Sequence, residues 1–202
     1  SLIARCHQLY DEDPRRAPTI IFIKEGDHEV EDYLEIKYAL QIIGAGRDKT
    51  FILNGGFHIQ GKNEEGKNVV LKDFTMKRSK VCGLANKNGL SFLCDSLTIT
   101  QCGRSGVYAW NTKGRFINCV ITQCKYSGMS SGNNALIELE GSQTKIHGNV
   151  TSGHSSFYGL HSYTTSAKIH LLFPLTKESV STNNGGSGNY GGAGTIETID
   201  SF

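Results

Sequence analysis

The sequence predicts an all-β fold: a right-handed parallel β-helix, a single-stranded solenoid of about six to seven coils, with a short N-terminal helical cap. Three observations predict it. First, ITQC occurs at 99–102 and again at 121–124, each time followed closely by Ser-Gly. Second, taking Gly83, Gly106 and Gly128 as anchors, the segments 68–89, 90–114 and 115–134 line up, with anchors 23 and 22 residues apart. Third, the runs inside each unit (VVLKDFTM, SLTITQC, RFINCVIT, TKIHGNV) alternate apolar and polar residues and break at Gly, Asn and Ser. Alternation at period two belongs to strands with one buried face. A unit this short cannot bury its own inward face, so the coils must stack.

Residues 2–10, LIARCHQLY, can form a short amphipathic helix, and residues 1–17 are assigned to a cap over the first coil. The solenoid is assigned to 18–182. Its looser fourth repeat, 135–166, is anchored at Gly159 and carries an insertion of about nine residues in or near GNVTSGHSS, relative to the shorter units. Residues 183–202 are read as a Gly-rich flexible loop, 183–194, followed by a terminal strand within TIETIDSF. Within ITQC, Ile99 and Cys102 differ in parity, so the strand must bend at or just after Gln101, and likewise at Gln123, for both to face inward.

Formal net charge is +2, and its distribution is uneven. Residues 1–95 hold 14 acids and 14 Lys/Arg; residues 96–177 hold only Glu138 and Glu140 against seven Lys/Arg. That excess is too small to indicate nucleic acid. No apolar run approaches a membrane span. With no signal-peptide pattern and no disulfide framework, a cytoplasmic setting is the expectation.

Several motifs invite chemistry. GAGRDKT (44–50) lacks the second Gly of a P-loop and is followed by a strand-like FILNG, so it reads as a turn between coils. The six cysteines lack two paired C-x2–4-C sets, so no metal is expected, and buried reduced thiols are the favoured state. A Cys102–Cys124 disulfide remains compatible with the rung spacing. Asn149-Val150-Thr151 is a glycosylation sequon. His147 and His170 lie inside alternating runs and read as packed. The candidate ligand-binding residues fall into two groups. Arg104, Tyr108, Trp110, Lys125 and Tyr126 recur beside the anchor glycines, as do Lys77, Arg78 and Lys80 upstream. His154, Tyr158, His161 and Tyr163 cluster at the insertion. Cations beside flat rings on a lateral strip suit a polysaccharide or protein partner.

The stretch FIKEGDHEVEDYLEIKYALQIIGAGRDKTFILNG (22–55) resembles the opening of pectin-lyase-like β-helix proteins: a Gly, then His and Glu, then L-x-I-x-G-x-G and K-T-x-I. The resemblance covers roughly 18–182 and implies this architecture and carbohydrate-active relatives. Hydrolases of that kind use paired carboxylates; lyases use a Lys or Arg base with carboxylates holding Ca²⁺. This chain has no Asp or Glu between Asp95 and Glu138. YGLHSY (158–163) is similar to a Tyr-Gly motif of alginate epimerases, but His161 and Tyr163 stand where that motif has Asp and His. Asp73 and Asp95 are expected at matching places of successive coils, as a small acidic ladder, and Glu138 and Glu140 on one face of a strand. The expectation is therefore a non-catalytic binding or scaffolding module that presents a ladder surface, without cofactor, nucleic acid or membrane partner. The alternative is a polyuronate lyase or epimerase-like enzyme. A structural component of a virus or cell surface is a third possibility.

Overall fold

A computed structural model describes residues 2–62 and 64–200. It is a parallel β-solenoid of about eight turns. Three parallel sheets run its length, with eight, seven and seven strands, and every strand pairs with its counterpart one coil away. One coil takes a strand from each sheet in turn: Ser91–Asp95, Thr98–Thr100, then Val107–Trp110. The turn count exceeds the expected six to seven because the outermost coils carry strands without the anchor-glycine pattern. Ile20–Phe22 and Gly26–Glu29 open the stack, and Thr195–Ile199 closes it.

The repeat becomes a stack through the inward columns. Ile99 pairs in register with Met76 on one side and Ile121 on the other, and Ile121 with Ile146. All four are at most 1% exposed. The anchor glycines face this column. A Cβ on Gly83, Gly106 or Gly128 would run into the Cγ2 of Ile99, Ile121 or Ile146 respectively. The interior is too narrow there for two side chains, so each Ile fills the space its facing Gly vacates. Gly114 repeats this arrangement under the ring of Phe92, which meets Phe116 edge-on at 5.6 Å.

The corners between sheets are also stacked. Asn54, Arg78, Gln101 and Gln123 all have φ between 57° and 68° and end the strands of the second sheet. Asp73, Ser96 and Asn118 do the same after the first sheet, and Asn88, Asn111 and Asn133 after the third. A left-handed residue turns the chain sharply, and Asn adopts it most readily after Gly. The bend expected at Gln101 and Gln123 is therefore present, and it turns both Ile99 and Cys102 inward. Neighbouring corners bond along the stack: Gln101 Nε2 donates to Gln123 Oε1 at 3.2 Å, and Asn111 Nδ2 to Asn88 Oδ1 at 2.8 Å.

The cap is the helix Leu2–Glu12, with Ile3 and Cys6 buried. Tyr10 lies flat on Tyr38 with ring centroids 4.4 Å apart, and Tyr38 donates to the Pro18 carbonyl. GAGRDKT is indeed a turn between the strands Gln41–Ile43 and Thr50–Leu53. Arg47 reaches from it along the corner column to the Asn118 carbonyl and to Gln143 Oε1, at 3.2 and 2.8 Å. All six cysteines are free and buried.

Two expectations are corrected. Asp73 and Asp95 form no acidic ladder: Asp95 stands opposite Lys72 and pairs with it at 2.8 Å, while Asp73 occupies the left-handed corner one residue further on. The Gly-rich run 183–194 is not a free loop. Gly185 N donates to the Asn149 carbonyl and Ser187 N to the Phe157 carbonyl, at 2.9 and 3.0 Å. Tyr190–Gly192 is a strand of the third sheet. Glycine here permits close approach, since a Cβ on Gly191 would enter the Tyr158 ring.

Two predictions follow from this packing. Gly106→Ala should cost about 1–3 kcal/mol by overpacking against Ile121, read as a lowered denaturation midpoint. Thiol titration of unreduced protein should reach six in denaturant and far fewer in buffer.

Candidate functional site

The outer face of the third sheet carries the site. Along Val107–Trp110 the pattern alternates: Val107 and Ala109 face the core, and Tyr108 and Trp110 face out. Register then fixes their neighbours. Ala85 and Ser130 flank Tyr108, Lys87 and Gly132 flank Trp110, and His161 lies beside Ser130. Gly132 has a specific role: a Cβ there would sit 2.5 Å from the Trp110 ring. The indole lies against the next rung and turns its other face outward.

The wall is made by the loops that join the second sheet to the third. Val81, Arg104, Tyr126 and Val150 stack through backbone bonds: Arg104 N to Val81 O, Tyr126 N to Arg104 O, and Val150 N to Tyr126 O. The expected insertion lies here, between the strands Lys145–His147 and Leu160–Ser162. It brings Phe157 face to face with Tyr126, centroids 4.5 Å apart and 8° from parallel. Floor and wall enclose a groove of about 590 Å³, bounded by Tyr33 on the cap side and Tyr163 on the insertion side.

Rings dominate this groove. Tyr108 and Trp110 are 15° from parallel at 6.1 Å, and Trp110 meets Tyr163 at 6.4 Å. His161 contacts Tyr158 and Tyr163, both at 5.3 Å. The polar groups are few: Arg104, Ser105, Ser130, His161 and the tyrosine hydroxyls. No Asp or Glu is among the described lining residues. The acids of the central coils lie elsewhere, on the first sheet. Glu140 pairs with Arg115 at 2.6 Å, and Glu138 lies between Arg115 and His170.

Burial sets the titration behaviour. His161 is 5% exposed, and desolvation lowers its pKa, so it is neutral at pH 7. Its Nδ1 lies 3.4 Å from Ser127 Oγ. Burial also pushes up the Tyr33 phenol, whose oxygen accepts from Cys82 N–H at 3.1 Å, and the Cys82 thiol beside it. A thiol kept protonated is a poor nucleophile. Cys102 is raised by hydrogen bonding to the Cys124 thiol and by burial. No three His, Cys, Asp or Glu among the described residues are grouped to hold a metal.

Of the sequence candidates, Arg104, Tyr108, Trp110, Tyr126, His161 and Tyr163 converge on the groove. His154 and Tyr158 support it from behind, through Phe157 at 5.4 Å and through His161. Lys125 is exposed on the wall loop and outside the groove. The basic strip divides: Lys77 pairs in register with Thr100 on the second sheet, away from Arg104. Sequence reasoning missed Tyr33 and Phe157. Tyr33 lies three rungs below Tyr108 in the third sheet, outside the repeats that could be aligned. Phe157 sits in the insertion, which has no counterpart to align with. The sequon asparagine, Asn149, is 2% exposed, with its side chain bonded to Cys124 N and the Ile121 carbonyl. It is not available for modification in the folded chain.

Compared with known proteins, the chain matches no family model, no curated protein and no solved structure. No helix among the described residues is long and apolar enough to cross a membrane.

The depressed His161 pKa fixes a sign. The unfolded chain binds a proton near the ordinary 6.5, and the native chain does so only at lower pH. Native stability is therefore full above that value and falls as pH drops below it. His161→Gln should flatten this acid-side slope in denaturation midpoints measured across mildly acidic pH. His7, also lowered by burial, leaves a residual slope of the same sign.

Proposed function

We propose that this chain is a non-catalytic, pectin-lyase-like β-helix module that binds a glycan in the third-sheet groove. The observation that carries the reading is a ring-lined groove with no carboxylate among its described lining residues. Pyranose rings present C–H faces that pack on aromatic faces, and Tyr and Trp supply such faces with little conformational entropy to lose. Sugar hydroxyls then find Ser105, Ser130, Arg104 and the tyrosine hydroxyls at the margins. Glycoside hydrolysis needs a carboxylic acid and a carboxylate across the scissile bond. The groove offers neither, and Glu138 and Glu140 face out from a different sheet.

Trp110 is the only tryptophan in the chain and lies in the groove, so its emission reports occupancy. Titration with a panel of glycans should shift that emission for a subset, and Tyr108→Ala should weaken those responses about tenfold. A peptide or protein ligand with no glycan response would overturn the glycan assignment. Incubation with pectate or alginate, with and without Ca²⁺, should release no unsaturated uronate; its appearance would make the chain a lyase instead.

A further inference from the structure

We propose that the groove selects a linear, β-linked glycan of equatorially substituted pyranoses, bound along the stack axis, in preference to α-linked uronans. This rests on the glycan-binding reading and names the ligand class within it.

Direction comes from the topology. The third sheet is ordered so that the strand bearing Tyr33 lies five rungs from the strand bearing His161. Parallel strands are about 4.8 Å apart, so the rings from Tyr33 to Tyr163 extend over about 24 Å across the strands. A ligand that touches both ends must run along the stack. An extended β-linked pyranose chain advances by nearly one rung per sugar, so successive sugars can meet equivalent positions on successive coils.

The stereochemical preference comes from the platform. Tyr108 and Trp110 are nearly parallel neighbours on one strand, 15° apart with ring centroids at 6.1 Å. Trp110 lies against the next rung because Gly132 leaves room for its ring. On either side of Tyr108 the floor is small, Ala85 and Ser130, while Lys87 stands beside Trp110 and His161 beside Ser130. Parallel rings next to the small residues Ala85 and Ser130 leave a strip that accepts a flat ribbon. An all-equatorial pyranose exposes an unbroken C–H face to such a surface, whereas an axial hydroxyl or axial linkage lifts part of the ring from it. Charge argues the same way. A polyuronate brings one carboxylate per sugar, and the described lining offers a single cation, Arg104, with Lys87 beside Trp110 at its margin. Most of those carboxylates would lose water against aromatic carbon without a partner, which is costly.

The test uses the intact chain and two series of oligosaccharides of two to six sugars: cello- and chito-oligosaccharides, and α-linked oligogalacturonates. Affinity is read by calorimetry and by Trp110 emission. The β-linked series should bind and should tighten steadily with length to about five sugars, the number of rungs spanned. Oligogalacturonates of equal length should bind at least about tenfold more weakly. Gly132→Ala should tilt the indole and weaken the β-linked series, with its denaturation midpoint checked to exclude unfolding. Tyr108→Ala, an outward substitution, provides a second reading of the same platform. Tighter binding of oligogalacturonates, or affinity that does not change with length, would overturn this inference and leave the glycan-binding reading standing. Unchanged affinity in both variants would overturn the platform as its basis. Failure of every glycan to bind would overturn both readings.

Discussion

One-for-one parallel register is the constraint from which the rest of this structure follows. Each rung repeats the one beneath it, so an inward position recurs as a column and an outward position as a row on the surface. A slip of one residue would exchange the two faces of a strand. What prevents the slip is steric. The Ile99–Ile121–Ile146 column fits only opposite Gly83, Gly106 and Gly128, because no Cβ can occupy the facing positions. The left-handed corners reset the chain at the end of many strands, which lets strands of two to five residues face different directions without losing register.

The groove is a consequence of that register. Tyr108 and Trp110 point out because Val107 and Ala109 point in. Ser130 and His161 lie beside them because the next two coils are stacked without offset. The wall loops inherit the same order, and the insertion departs from it only enough to lay Phe157 on Tyr126. The Gly-rich run 183–194 supports this insertion through Ser187 and Gly185, so the segment richest in glycine holds the groove's wall in place.

The repeated coils were legible in the sequence because each position is constrained twice, by its own strand and by the rungs above and below. Matching residues such as ITQC record that double constraint, and even the bend at Gln101 could be inferred from a parity conflict. The groove was legible in part. Arg104, Tyr108, Trp110 and Tyr126 recur beside anchor glycines, while His161 and Tyr163 follow the insertion. Tyr33 and Phe157 were not legible, since neither lies in an aligned unit. An offset of one residue separates two further positions. Asp73 and Asp95 appear equivalent in the sequence, yet Asp73 has passed the strand end and Asp95 has not, which converts a supposed acidic ladder into a Lys72–Asp95 pair. Composition misled at 183–194, where glycine serves close packing and not freedom.

The most direct test of this account is the backbone register of the third sheet, measured by nuclear Overhauser contacts between amide and α protons of neighbouring strands. The account predicts contacts that pair Tyr108 with Ser130 and Ser130 with His161, alongside Ile99 with Ile121 in the second sheet. Contacts displaced by one residue, such as Tyr108 with Ser131, would contradict it: the outward rings and the inward column could not then share one register, and neither the groove nor the glycine-backed core could exist as described.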